Sequence, residues 1–266
     1  MRTKLLMLVL LVTQVLFVNA QMDDKFYFPS KVLQPVEWNN VESLQFRVEN
    51  DTISALILKP QQKAKATIFY FHGAGGNVTT YAPLLTALLN HQFQIVMIDF
   101  RGYGTSTGKP LHANIAADGE KLYTEIMKRD DFRNKKVIFY GASIGTQIAT
   151  YLAKNHQEEI SGLALEGGMF SFGHIAAVYA PQVKDYLENS FHTPYSAKED
   201  IKQITKIPKL IIHSKEDKDV PFAQGMMLFE NAPAPKEFIE FSGEHLYALK
   251  YESAKILASL NKMVGK

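Results

Sequence analysis

Gly141-Ala142-Ser143-Ile144-Gly145 follows the apolar run Val137-Ile138-Phe139-Tyr140 and precedes a helix-compatible stretch, Thr146 to Lys154. A strand that turns abruptly into a helix leaves almost no space beside the turn, and glycines at 141 and 145 supply it. Ser143 is then left proud of the sheet edge, at a helix N-terminus that favours the negative charge formed during acyl transfer. This setting predicts a nucleophilic serine and a serine-dependent hydrolase. The bland alternative is a flexible turn that matches the pattern by chance.

Acyl transfer also needs a base, a group that holds the base, and donors for the developing oxyanion. The base must be a histidine able to come within ~3 Å of the serine hydroxyl. The candidates are His72, His91, His112, His156, His174, His192, His213 and His245. His245 stands out, because Ser242-Gly243-Glu244-His245 lies between the last apolar run and the last helical stretch. Parallel strands deliver their carboxyl ends to one edge, so His245 falls at the same edge as Ser143. His91 and His156 read as helix C-caps, and His72 and His213 as residues that shape loops. For the acid, Lys215-Glu216-Asp217-Lys218-Asp219-Val220-Pro221 follows another strand at that edge. Asp217 is preferred. Glu216, Asp219 and, from a neighbouring strand, Glu166 compete with it, and a solvated charge cluster is the alternative for all four.

The elements that must position these groups alternate. Glu42–Val48 and Thr52–Leu58 read as a hairpin around Glu49-Asn50-Asp51. Strands are predicted at Thr67–Phe71, Ile95–Ile98, Val137–Tyr140, Gly162–Leu165, Leu210–His213 and Glu237–Phe241. Helices are predicted at Tyr81–Leu89, Ile115–Met127, Ile144–Ala153, Phe222–Phe229 and Tyr247–Met263. Strands separated by helical patterns imply an α/β architecture, a mostly parallel doubly wound sheet with helices on both faces. Residues 169–207 break the rhythm and read as a small helical, cap-like insertion beside the active site. Its aromatics either line an acyl pocket or dock the segment on the body.

The chain has 266 residues, 46% of them hydrophobic, enough for one substantial core. The first twenty differ: Arg2 and Lys4, then the apolar run Leu5–Val12, then Val18-Asn19-Ala20. Met1–Ala20 is expected to be a cleaved export signal, with residues 21–266 a single domain in the periplasm or outside the cell; an uncleaved anchor is the alternative. Lys plus Arg number 29 against 27 Asp plus Glu, and the signal holds two of the basic residues, so no basic surface for nucleic acid is expected. There is no cysteine, which removes a thiol nucleophile, a thiolate metal site and a lipoprotein attachment from consideration.

In order along the chain, several motifs resemble those of the alpha/beta-hydrolase superfamily, from about Glu42 to the C-terminus. They are His72-Gly73-Ala74-Gly75-Gly76-Asn77, the turn Asp99-Phe100-Arg101-Gly102-Tyr103-Gly104, the Ser143 pentapeptide, His213 to Pro221, and His245. Within that superfamily the chain is similar to small serine hydrolases with minimal cap, which include esterases, thioesterases and serine-aminopeptidase-like proteins. The resemblance implies Ser143 as nucleophile, Asp217 as acid and His245 as base. Ser214 stands where the family has Gly, and Gly243-Glu244 where Gly-Gly is commoner. Family pattern and chemistry agree on the Ala74 and Ile144 amides as oxyanion donors, with His72, Gly73, Gly75 and Gly76 as the supporting loop. Arg101 reads as a brace between loops, with recognition of a substrate carboxylate as the weaker alternative.

The expected reaction is hydrolysis of an ester or thioester through an acyl-enzyme, with no metal and no organic cofactor. A peptidase or amidase with the same triad is one alternative. A catalytically silent binding protein on this fold is another.

Overall fold

The computed structural model describes residues 23–265, so the expected signal at Met1–Ala20 lies outside the described residues. One sheet contains β1 (Val41–Val48), β2 (Asp51–Leu58), β3 (Ala66–Phe71), β4 (Phe93–Ile98), β5 (Lys136–Ala142), β6 (Gly162–Glu166), β7 (Lys209–Ser214) and β8 (Lys236–Phe241). Their order across the sheet is β8-β7-β6-β5-β3-β4-β2-β1. Strands β3 to β8 run parallel, and β2 is antiparallel to both β1 and β4. The doubly wound sheet with an antiparallel N-terminal hairpin is therefore present. Its turn is Glu49-Asn50 alone, with Asp51 already paired to Val48.

Alternate residues of the central strands feed two cores, as the period of a strand requires. Phe69 and Phe71 of β3 and Phe139 of β5 join one cluster. It includes Ile115 and Leu122 of α1 (His112–Met127) and Ile148 and Leu152 of α2 (Gly145–His156). Ile68, Tyr70, Ile138 and Tyr140 join the other, which holds Leu85, Leu88, Ile256 and Leu260. Burial on both faces explains the continuous apolar runs. Each such side chain contributes about 1.5–3 kcal/mol on leaving water.

Two predicted helices are broken. Tyr81–Leu89 is three short pieces, Val78–Tyr81, a 3-10 turn Ala82–Leu85 and Thr86–Asn90. Pro83 lacks an N–H for a continuous ladder and starts the tighter turn. Tyr247–Met263 divides into Ala248–Tyr251 and a longer helix, Ser253–Met263, at Glu252. The first piece is held by its own anchors: the Ala248 amide donates to Glu166 and Tyr251 stacks on Phe241.

Residues 169–207 contain α3 (Phe172–Tyr179), α4 (Lys184–Ser190) and short turns. The aromatics of this segment take up two kinds of position. Phe172 packs on His112 and Phe26, and Tyr195 packs on Tyr151, which docks the segment on the body. Tyr179 is exposed at the rim of a cavity.

The segment before β1 has a structure that sequence reasoning missed. Phe28 and Pro29 pair in parallel with Gly75 and Gly76. Asp23 accepts the His112 amide at 2.9 Å, and the Tyr27 hydroxyl lies 2.6 Å from His112 Nδ1. The segment is thus tied at one end to α1 and at the other to the glycine-rich loop after β3.

Candidate active site

Strand β5 ends at Ala142 and α2 begins at Gly145, which leaves Ser143 to make the turn with φ 53°. This left-handed conformation is unfavourable for a residue with a side chain. Backbone hydrogen bonds hold it: the Ser143 amide donates to the Glu166 carbonyl at 2.9 Å, and its own carbonyl accepts from the Thr146 amide and hydroxyl. The helix passes close beneath β3. A Cβ on Gly145 would run into the carbonyl oxygens of Phe71 and His72.

His245 comes from the loop after β8. Its Nδ1 lies 2.6 Å from Asp217 Oδ2, and Oδ1 of the same carboxyl accepts the amides of Asp219 and Val220 at 2.9 and 2.8 Å. Burial alone would raise the Asp217 carboxyl. The hydrogen bond and charge of His245, the Val220 amide and nearby His213 outweigh it and hold the carboxyl below its ordinary value. An ionised carboxylate only accepts, so Nδ1 of His245 carries a proton and Nε2 is free to take one. Gly167, at φ +56°, lets the β6 end pass close to this ring; a Cβ there would fall 2.6 Å from His245 Cε1.

Of the competing acids, Asp219 stands beside His245 on the cavity wall, while Glu216 and Glu166 are placed elsewhere. Glu216 and Asp219 are exposed. Glu166 is buried, accepts the Tyr140 hydroxyl at 2.6 Å and the Ala248 amide at 2.9 Å, and has its carboxyl raised by burial. It ties the end of β6 to the chain just beyond His245. His213 lies inside β7 rather than in a loop, and its Nε2 donates to the Val220 carbonyl at 2.9 Å. That bond fixes the turn whose amides hold Asp217. His91 accepts the expected capping role, with Nδ1 on the Ala87 carbonyl, while His156 reaches across to Glu120.

The loop His72 to Gly76 is fastened by its carbonyls. Gly73 accepts from His72 Nδ1, Ala74 from the Tyr103 hydroxyl and the Phe28 amide, Gly75 from the Tyr81 hydroxyl, and Gly76 from the Ser30 amide. His72 is packed among Tyr81, Phe100 and Tyr103, and burial pushes it down to about 4. The amides of Ala74 and Ile144 have no hydrogen-bond partner among the described residues. Arg101 pairs with Asp118, Glu49 and Asp51, which braces the second glycine-rich turn against the hairpin and α1.

Ser143, His245, Gly73, Ala74, Gly75 and Ile144 all line one cavity of about 780 Å³. Lys25, Phe26 and Phe28, residues of the 169–207 segment, and Asp219 and Val220 of the loop that carries Asp217 also line it. The aromatic run Phe26-Tyr27-Phe28 was the available sequence signal for this wall, but no periodicity marks it. One group of metal-ligating side chains is present among the described residues, Asp217, Asp219 and His245, with ligand atoms within 4.8 Å of one another. The Asp217 oxygens are committed to His245 and to two backbone amides, so its donor set fits a held histidine better than a cation.

The family model described as "Serine aminopeptidase, S33" matches residues 62–194, half of the chain. YfhR of Escherichia coli (strain K12) is 30% identical over 231 residues, covering 84% of this chain and 80% of that protein. The human alpha/beta hydrolase domain-containing protein 17B is 29% identical over 227 residues, covering 80% and 74% respectively. Among solved structures, Pyrococcus furiosus esterase Pf2001 superposes with a TM-score of 0.70 at 16% identity, over 90% of this chain and 97% of that one. That likeness concerns the fold.

Proposed function

Because the chain belongs to the alpha/beta-hydrolase family, we propose that it hydrolyses a carboxylic ester or thioester with Ser143 as nucleophile. The observation that carries this reading is the convergence on one cavity of Ser143, of His245 with Asp217 on its Nδ1, and of two unpartnered amides. Ser143 Oγ attacks the substrate carbonyl while His245 Nε2 takes its proton, and the Ala74 and Ile144 amides hold the oxyanion. The carbonyl reforms as the bond to the alcohol or thiol breaks, and His245 returns the proton to that leaving group. Water then adds to the acyl-enzyme by the same route, which frees the acid and restores the Ser143 hydroxyl. Asp217 orients the ring and stabilises the imidazolium.

One feature favours a peptidase as the second reading. Asp219 lines the cavity near His245, where a carboxylate could meet a substrate ammonium. Aminoacyl p-nitroanilides with a free and with an acetylated amino group, set beside a p-nitrophenyl ester, separate the two. The ester reading predicts turnover of the ester and no measurable cleavage of either anilide. Cleavage of the free-amine anilide, lost on acetylation and in Asp219→Asn, would favour the peptidase.

A further inference from the structure

The cavity beside Ser143 is walled almost entirely by carbon. Phe26 from the N-terminal segment, Met169, and Ile175 and Leu187 from α3 and α4 are buried in its interior. The charged residues on its wall are Lys25 and Asp219, both exposed. A polar or charged substrate group placed among these side chains would lose its hydration without gaining a partner. A methylene chain would gain from the same transfer. The cavity, at about 780 Å³, is also much larger than a two-carbon acyl group needs.

Its rim continues the apolar surface outward. Phe28 and Tyr179 line the cavity, yet they are 61% and 71% exposed, and Val183 is 46% exposed. The Tyr179 hydroxyl donates to the Asp219 carbonyl at 3.2 Å, so α3 reaches across to the loop that carries Asp217. The N-terminal segment supplies another part of the wall, with Phe28 hydrogen-bonded to Ala74 beside the oxyanion position. Two independent pieces of chain therefore meet around one apolar space that begins at the reacting serine.

We propose that this space is an acyl site for an unbranched aliphatic acyl group of medium or greater length, held between the N-terminal segment and α3–α4. The proposal rests on the serine-hydrolase reading and names the substrate class for it. The alcohol or thiol part of the substrate leaves through the mouth, and the acyl chain supplies the binding energy. Ala176, half-buried on the α3 wall, and Val183 at the rim set how much chain is accepted.

The test is kcat/KM for p-nitrophenyl acetate, octanoate and dodecanoate below their aggregation limits, on the wild type, Ala176→Trp and Val183→Asp. Each variant is also labelled with a fluorophosphonate. Wild type is expected to favour dodecanoate over acetate at least tenfold. Ala176→Trp fills the space, and Val183→Asp puts a charge on its wall at an exposed position that folding tolerates; each is expected to cut the dodecanoate-to-acetate ratio at least tenfold. A wild type that labels but prefers acetate overturns the proposal alone, as does an unchanged ratio in both variants. A folded wild type that does not label overturns it together with the serine-hydrolase reading.

Discussion

Oδ2 of Asp217 lies 2.6 Å from Nδ1 of His245, across 28 residues of sequence. The carboxyl is nearly inaccessible, with 1% of its side chain exposed, against 14% for the histidine. A buried carboxylate that orients a partly open imidazole is the arrangement a general base requires.

Asp217→Asn is expected to lower kcat/KM for an activated ester by about 10³–10⁴-fold with little change in fold, since the amide presents an N–H to the wrong tautomer of His245. Less than a tenfold loss, measured by steady-state kinetics alongside circular dichroism, would give the role to another acid.

Glu166→Gln is the matching control. Glu166 holds Tyr140 and Ala248 rather than His245, so this variant is expected to stay within about tenfold of wild-type turnover. Its effect should be on stability, since a buried hydrogen-bond network is altered. A loss as large as that of Asp217→Asn would transfer the acid's role to Glu166.

The Ser143 turn stores strain. Ser143→Gly is expected to be inactive yet more stable by about 1 kcal/mol, because glycine adopts φ 53° freely. Gly145→Ala should do the reverse and cost about 1–3 kcal/mol by forcing a methyl against β3. Urea denaturation of both variants checks the pair, and a destabilised Ser143→Gly would show that the turn carries no strain.

Stability should fall in mild acid. Burial pushes His72 from its ordinary 6.5 down to about 4. Below pH 6.5 the unfolded chain binds a proton that this folded histidine refuses. Its contribution is therefore complete above 6.5 and is lost as pH falls towards 4. It should cost about 1.4 kcal/mol per pH unit inside that window. Urea midpoints from pH 7.5 to 5 measure it, and a flat profile would mean that the ring takes up its proton in the folded state.

Much of this site was legible because it sits where apolar runs end. The runs at Val137–Tyr140, Leu210–His213 and Glu237–Phe241 located strand ends, and Ser143, Asp217 and His245 follow from asking which polar residues lie just beyond them. Alternation of strands and helices was equally readable, since both faces of a parallel sheet need cover. What sequence hid depends on tertiary partners. The break at Glu252 follows from an anchor on Glu166, and Glu166 itself looked like a candidate acid until its two hydrogen bonds were placed. Phe26 and Phe28 form a cavity wall because Asp23 and Tyr27 are tied to His112, and Phe28 to the glycine-rich loop, all of them contacts distant in sequence. No local pattern encodes such a pairing.

The most direct test of the central claim is the intact mass of the purified protein after exposure to a fluorophosphonate, with Ser143→Ala as control. One phosphonyl adduct on the wild type and none on the variant is the predicted result. A folded wild type that gains no adduct, or a variant that gains the same one, would contradict the assignment of Ser143 as the activated nucleophile.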